Sequence, residues 1–225
     1  MIKNLLFTFS CIILGVNISN GQNEIRYANT VASQSNLGYI AGKYFRSNPY
    51  IGTFSSFINH LVNDPTLTDK EEVKKTDSTL YSFTGFYTKH HPFAFKTGKM
   101  QVSLWEESML LNDTLSLRDT VVNYLLSAHL PYTEANEKMV KKEVAHIYNR
   151  NKRYFSETRK IDMKNKKGEI NGGGYNMFLL MHGIAPFATL WQIDEKKKEI
   201  SLHLLFRISN SNNQSESPLP LFPRY

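Results

Sequence analysis

Cysteine is all but missing from this sequence: Cys11 is the single one in 225 residues. It lies within an apolar run at residues 5–16 (LLFTFSCIILGV), preceded by Lys3 and followed by small and polar residues through Gly21. A positive charge, an apolar run and small residues, in that order, are what the export machinery and signal peptidase read. Residues 1–21 are therefore expected to be a cleaved signal peptide, with Ser19 and Gly21 as the small side chains before the cut. Cys11 would leave with it. A chain without thiols has no disulfide, no thiolate metal site and no cysteine nucleophile.

Long apolar runs are missing too. A membrane-spanning helix needs ~20 apolar residues, and neither the run at 5–16 nor any later one reaches that length. The expectation is an exported chain, periplasmic or extracellular, with no transmembrane segment in its mature part. Its stability would rest on a packed core.

The strings that announce common catalytic centres are absent as well. There is no H-E-x-x-H for a zinc protease and no G-x-S-x-G elbow for a serine hydrolase. Gly172-Gly173-Gly174 matches no phosphate-binding loop and leads into a predicted strand, so it reads as a turn or bulge. Glu143 and His146 form one E-x-x-H step on a helix face, where a carboxylate-bridged metal pair uses two steps and two further glutamates. No metal or cofactor is expected.

What is present is a patterned chain. Residues 22–47 are polar with scattered aromatics and show no sustained period. Asn48 and Pro49 suit the start of a helix, and Tyr50, Ile51, Phe54, Phe57, Ile58, Leu61 and Val62 recur at helical spacing up to Asp64-Pro65. Residues 79–87 read as an aromatic strand. Residues 93–95 and 100–105 read as a hairpin about Gly98. Two helices are predicted next, one over about 118–130 and one over about 134–155. An edge hairpin about Asn165–Gly168 and three strands (175–182, 186–193, 199–208) complete the domain. The tail, 209–225, is Ser/Asn- and then Pro-rich. The order of elements gives a single α+β domain over 22–208, a largely antiparallel sheet packed by about three helices.

Charge is the strongest asymmetry. Residues 138–167 hold eleven Lys or Arg and three acids, a net of +8, whereas the whole chain carries +7. Lys138, Lys141, Lys142, Arg150, Lys152 and Arg153 fall on the long predicted helix and are the candidate binding residues. Such a patch suits an anionic surface, an acidic glycan or an acidic protein. Nucleic acid is disfavoured, since an exported protein rarely meets it and no stacking motif is present. These features point to a non-catalytic binding or accessory module. The alternative is a small extracytoplasmic hydrolase using a histidine such as His91 or His182, the latter on a predicted strand beside that of His203. The crowd of aromatics at Tyr81, Phe83, Phe86, Tyr87, Phe93, Phe95 and Trp105 reads as sheet packing.

Overall fold

A computed structural model describes residues 31–52, 54–74, 81–110, 118–179 and 185–209. Among these residues three helices and eight strands make an α+β fold: α1 Val31–Tyr44, α2 Phe54–Val62, β1 Leu67–Lys74, β2 Tyr81–Tyr87, β3 Lys99–Leu110, β4 Arg118–Pro131, α3 Glu134–Asn151, β5 Glu157–Lys164, β6 Ile170–Phe178, β7 Phe187–Asp194 and β8 Glu199–Ser209. A 3₁₀ turn, Lys152–Tyr154, extends α3. The strands form one sheet in the order β1-β2-β3-β4-β8-β7-β6-β5. Every neighbouring pair is antiparallel. Among the described residues no helix is long and apolar enough to cross a membrane.

Several expectations need correction. The segment expected to be a helix over 118–130 is β4, the central strand of the sheet. Val121, Val122, Leu125, Leu126 and His129 mimic a helical stripe. A strand covered on both faces also reads as a near-continuous apolar run, and residues 121–128 are all buried. Residues 22–47, which show no sustained period, contain α1. Its buried Leu37, Ile40, Ala41 and Tyr44 keep helical spacing, but the stripe is narrow and polar residues dilute it. Finally, Asn48 does not cap α2. Its Oδ1 accepts from the Tyr50 amide (3.0 Å) and its Nδ2 donates to the Gly38 carbonyl (2.8 Å), so it ties the α1–α2 connection back onto α1.

The expected hairpin about Gly98 becomes a wider one. Its arms are β2 and β3, and Phe93 and Phe95 are buried in the connecting loop, stacked 5.4 Å apart. Gly98 still makes the turn: its φ is +104°, and a Cβ there would lie 2.9 Å from the His129 carbonyl oxygen. The edge hairpin and the closing meander both form, but they share a strand: β6, Ile170–Phe178, is the second arm of the hairpin and also stands in place of the strand expected over 175–182, whose residues 180–182 lie outside those described. The three consecutive glycines lie inside β6, not before it.

The main core lies between the helices and one face of the sheet. Phe45 packs on Tyr124 and Phe206, Phe57 on Tyr124, and Val140, Val144 and Ile147 of α3 join the same cluster. Alternation along β4 and β8 sends Leu125 and Leu205 to the opposite face. There they meet Ala188 and Leu190, with Trp105 and Ile161 packed against them from outer strands.

Candidate anion-binding surface

The helix α3 starts at Thr133, whose hydroxyl accepts from the Asn136 amide, and carries Glu134 and Glu137 in its first turn. Those two acids decide the fate of the nearest lysines. Lys138 pairs with Glu134 at 2.7 Å and Lys141 with Glu137 at 2.6 Å, each one helical turn on. The Lys141 ammonium also lies 4.2 Å from the centre of the Trp191 ring. Beyond the helix, Arg159 pairs with Glu157 and Lys160 with Asp162. Four of the eleven cations of the segment thus face a carboxylate.

The C-terminal end of α3 differs. At the far end of α3, Arg150, Lys152 and Arg153 have no carboxylate partner among the described residues, and Lys142 lies two turns back on the same exposed stripe. Cations in a last turn complement the helix dipole. Lys43 does the same at the end of α1, and the two helix ends meet. Asn151 Nδ2 is 3.5 Å from the Tyr44 hydroxyl, and the Tyr39 and Tyr154 rings sit edge to face at 6.1 Å. The Lys43 ammonium lies 3.7 Å over the Tyr39 ring. Arg153 donates to the Tyr154 hydroxyl (2.8 Å), and its guanidinium lies 4.9 Å over that ring. Lys152 covers Tyr148, which stacks on Tyr175 at 3.8 Å. A hydrogen bond and the charge of Lys43, with Arg150 and Arg153 behind it, hold the Tyr39 phenol below its usual range. The charges of Lys43, Arg150 and Arg153 therefore converge on one exposed ring.

Tyr39, Lys43 and Tyr154 were missed by the sequence reading. The signal was available as the i, i+4 spacing of Tyr39 and Lys43, which matters only once α1 is known to be a helix.

The histidines sort differently. Glu143 is buried and its Oε1 accepts from the Ala94 amide (3.1 Å), while His146 is exposed, so the E-x-x-H step splits between core and surface. His90 Nε2 bonds the Tyr44 carbonyl at 2.6 Å, and His91 is exposed. His182 lies outside the described residues. The neighbour of His203 is instead His129, one strand over: the rings are 6.1 Å apart on the face away from the helices. His203 Nδ1 bonds the Ser127 hydroxyl (2.8 Å), and His129 Nδ1 bonds that of Ser201 (3.1 Å). Burial pushes the His203 imidazole down to about 3 and, helped by Lys197 and Lys99, that of His129 to about 4. Among the described residues no three His, Cys, Asp or Glu side chains gather as metal ligands.

The comparisons return no relative. No protein-family model, no curated protein and no solved structure matches this chain.

Proposed function

We propose that the protein is an exported, non-catalytic binding module that docks an anionic partner through Lys43, Arg150, Lys152 and Arg153. The observation that carries this reading is the contrast within one basic segment. Lys138, Lys141, Arg159 and Lys160 each face a carboxylate. Lys43, Lys152 and Arg153 instead lie over tyrosine rings, and the charge of Arg150 acts on Tyr39. Paired surface charges cancel within a few ångströms, while unpaired clustered cations project a field to about a Debye length, ~8 Å at physiological salt. The hydrolase alternative would need a convergent nucleophile and base. Of the two histidines that reading names, His91 is exposed and His182 lies outside the described residues, while Ser127 is buried beside His203; binding has the more support among the described residues.

The test is a charge reversal at equal total charge. Arg150→Glu with Arg153→Glu is compared with Lys138→Glu plus Lys160→Glu, both pairs checked for folding by thermal melting. Probes are phosphatidylglycerol vesicles, a polyuronate and polyaspartate. Each Lys or Arg near an anionic surface contributes ~1 kcal/mol, so the first pair should weaken binding of the preferred probe about 30-fold and the second hardly at all. Equal losses in both variants, or no binding to any probe, would refute the proposal.

A further inference from the structure

The cation cluster is not a plain field of lysines. Its ammonium and guanidinium groups alternate with phenols: Tyr39 with Lys43, Tyr148 with Lys152, Tyr154 with Arg153. Two of the cations are arginines, whose planar fork of donors matches a carboxylate in a bidentate way that an ammonium does not. Arg153 spends one donor on the Tyr154 hydroxyl at 2.8 Å, which leaves that hydroxyl's own proton to give. Tyr39 is 53% exposed, so its phenol also faces solvent.

This chemistry separates the classes of anionic partner. A membrane surface is held best when basic residues flank apolar side chains that enter the headgroup region. The large exposed hydrophobic residues among those described are Tyr39, Ile51, Tyr132 and Ile170, and only Tyr39 belongs to the cluster. Single-stranded nucleic acid needs a series of open aromatic faces for its bases. Here Tyr148 has Tyr175 against one face and Lys152 over the ring, and Tyr39 and Tyr154 each carry a cation. What stays available is phenol hydroxyls beside guanidinium forks. A chain in which hydroxylated rings alternate with carboxylates meets both.

We infer that the partner is an acidic polysaccharide, its carboxylates paired with Arg150 and Arg153 and its hydroxyls bonded to the Tyr39 and Tyr154 phenols. This rests on the docking reading above, and the experiment keeps the two apart. Two conservative double variants are used: Tyr39→Phe with Tyr154→Phe, which keeps rings and charge, and Arg150→Lys with Arg153→Lys, which keeps charge and removes the forks. Calorimetry at low and physiological salt then measures binding to polygalacturonate oligomers, phosphatidylglycerol vesicles and a single-stranded oligonucleotide. Each double variant should weaken polygalacturonate binding about five- to tenfold, as expected for lost hydrogen bonds to charged or polar groups, and leave the other probes within twofold. If polygalacturonate binding survives both variants unchanged, or if vesicles or the oligonucleotide bind more tightly, the polysaccharide inference falls and the docking reading stands. If no anionic probe binds, both fall.

Discussion

His129 and His203 are neutral at pH 7 because the sheet gives their charged forms little solvation, and their serine partners bond the uncharged rings. An unfolded histidine titrates near 6.5. Below that pH the unfolded chain takes up protons that the folded chain refuses, so stability falls as the pH drops. The loss begins near pH 6.5 and continues to about 4 for His129 and about 3 for His203. A tenfold difference in proton affinity between the folded and unfolded chain is worth ~1.4 kcal/mol, so the pair makes acid lability a matter of several kcal/mol. Thermal melts from pH 7 to pH 4 should show a steep fall in Tm, flattened in His203→Asn. An identical slope in that variant would place the acid sensitivity elsewhere. A second position is sharper still. A Cβ on Gly174 would collide with the Thr189 carbonyl oxygen and lie 2.8 Å from the Leu190 Cα of the adjoining strand. Gly174→Ala should cost ~3 kcal/mol or more by urea denaturation, at the severe end for a single substitution.

Among the elements, α3 and the β5–β8 meander were legible because each advertises itself. The helix has a cap, acids first and bases last, and the meander has turn residues at Asn165–Gly168 and 194–198. β4 was not legible, because burial on both faces erases the alternation that marks a strand. α1 was not, because Leu37, Ile40, Ala41 and Tyr44 are too few against their polar neighbours. The candidate site inherits these gaps: Arg150, Lys152 and Arg153 stand out in the sequence, but Tyr39 and Lys43 depend on α1. Charge density alone also gave no means of telling paired Lys138 from unpaired Arg150, which depends on where Glu134 falls along the helix. The two edge strands guard themselves. β1 carries five charges and a break in register between Thr68 and Glu71, and β5 alternates exposed charges along its length. At the α1–α2 connection, Asn48→Ala removes two hydrogen bonds and should cost about 1–2 kcal/mol. Helix content by circular dichroism should stay unchanged, because Asn48 fastens a loop and does not start a helix.

Taken whole, the molecule is two four-stranded meanders, β1–β4 and β5–β8, with α3 crossing between them and β4 paired to β8 along their length. That seam runs from Val121 opposite Ser209 to Pro131 opposite Glu199. It also gathers the buried polar groups of the face away from the helices. Ser127, Ser201 and His203 lie toward one end, with the partly buried His129 beside them, and Asn123 and Arg207 sit opposite each other toward the other. Arg207 donates to the Ala185 carbonyl (2.9 Å), and burial lowers its pKa to about 10 against the pull of Glu107. Partners across the seam are far apart in the chain: Ser127 and His203 are separated by 76 residues.

Within each meander, pairing closes over short loops, whereas the seam must close a long one, and contacts of that kind slow folding into the millisecond-to-second range. Stopped-flow refolding should therefore show meander formation ahead of a slower phase. Leu204 pairs both within its meander and across the seam, so Leu204→Ala should retard the slow phase more than the early one, and a single phase common to all probes would contradict it. The order of synthesis sharpens the consequence. Residues 199–209 emerge after every other strand, yet they are the ones that join the halves, so a nascent chain halted before them holds β4 and β7 with bare edges. For as long as that lasts, the chain is open to strand addition by a chaperone or by a neighbour of its own kind.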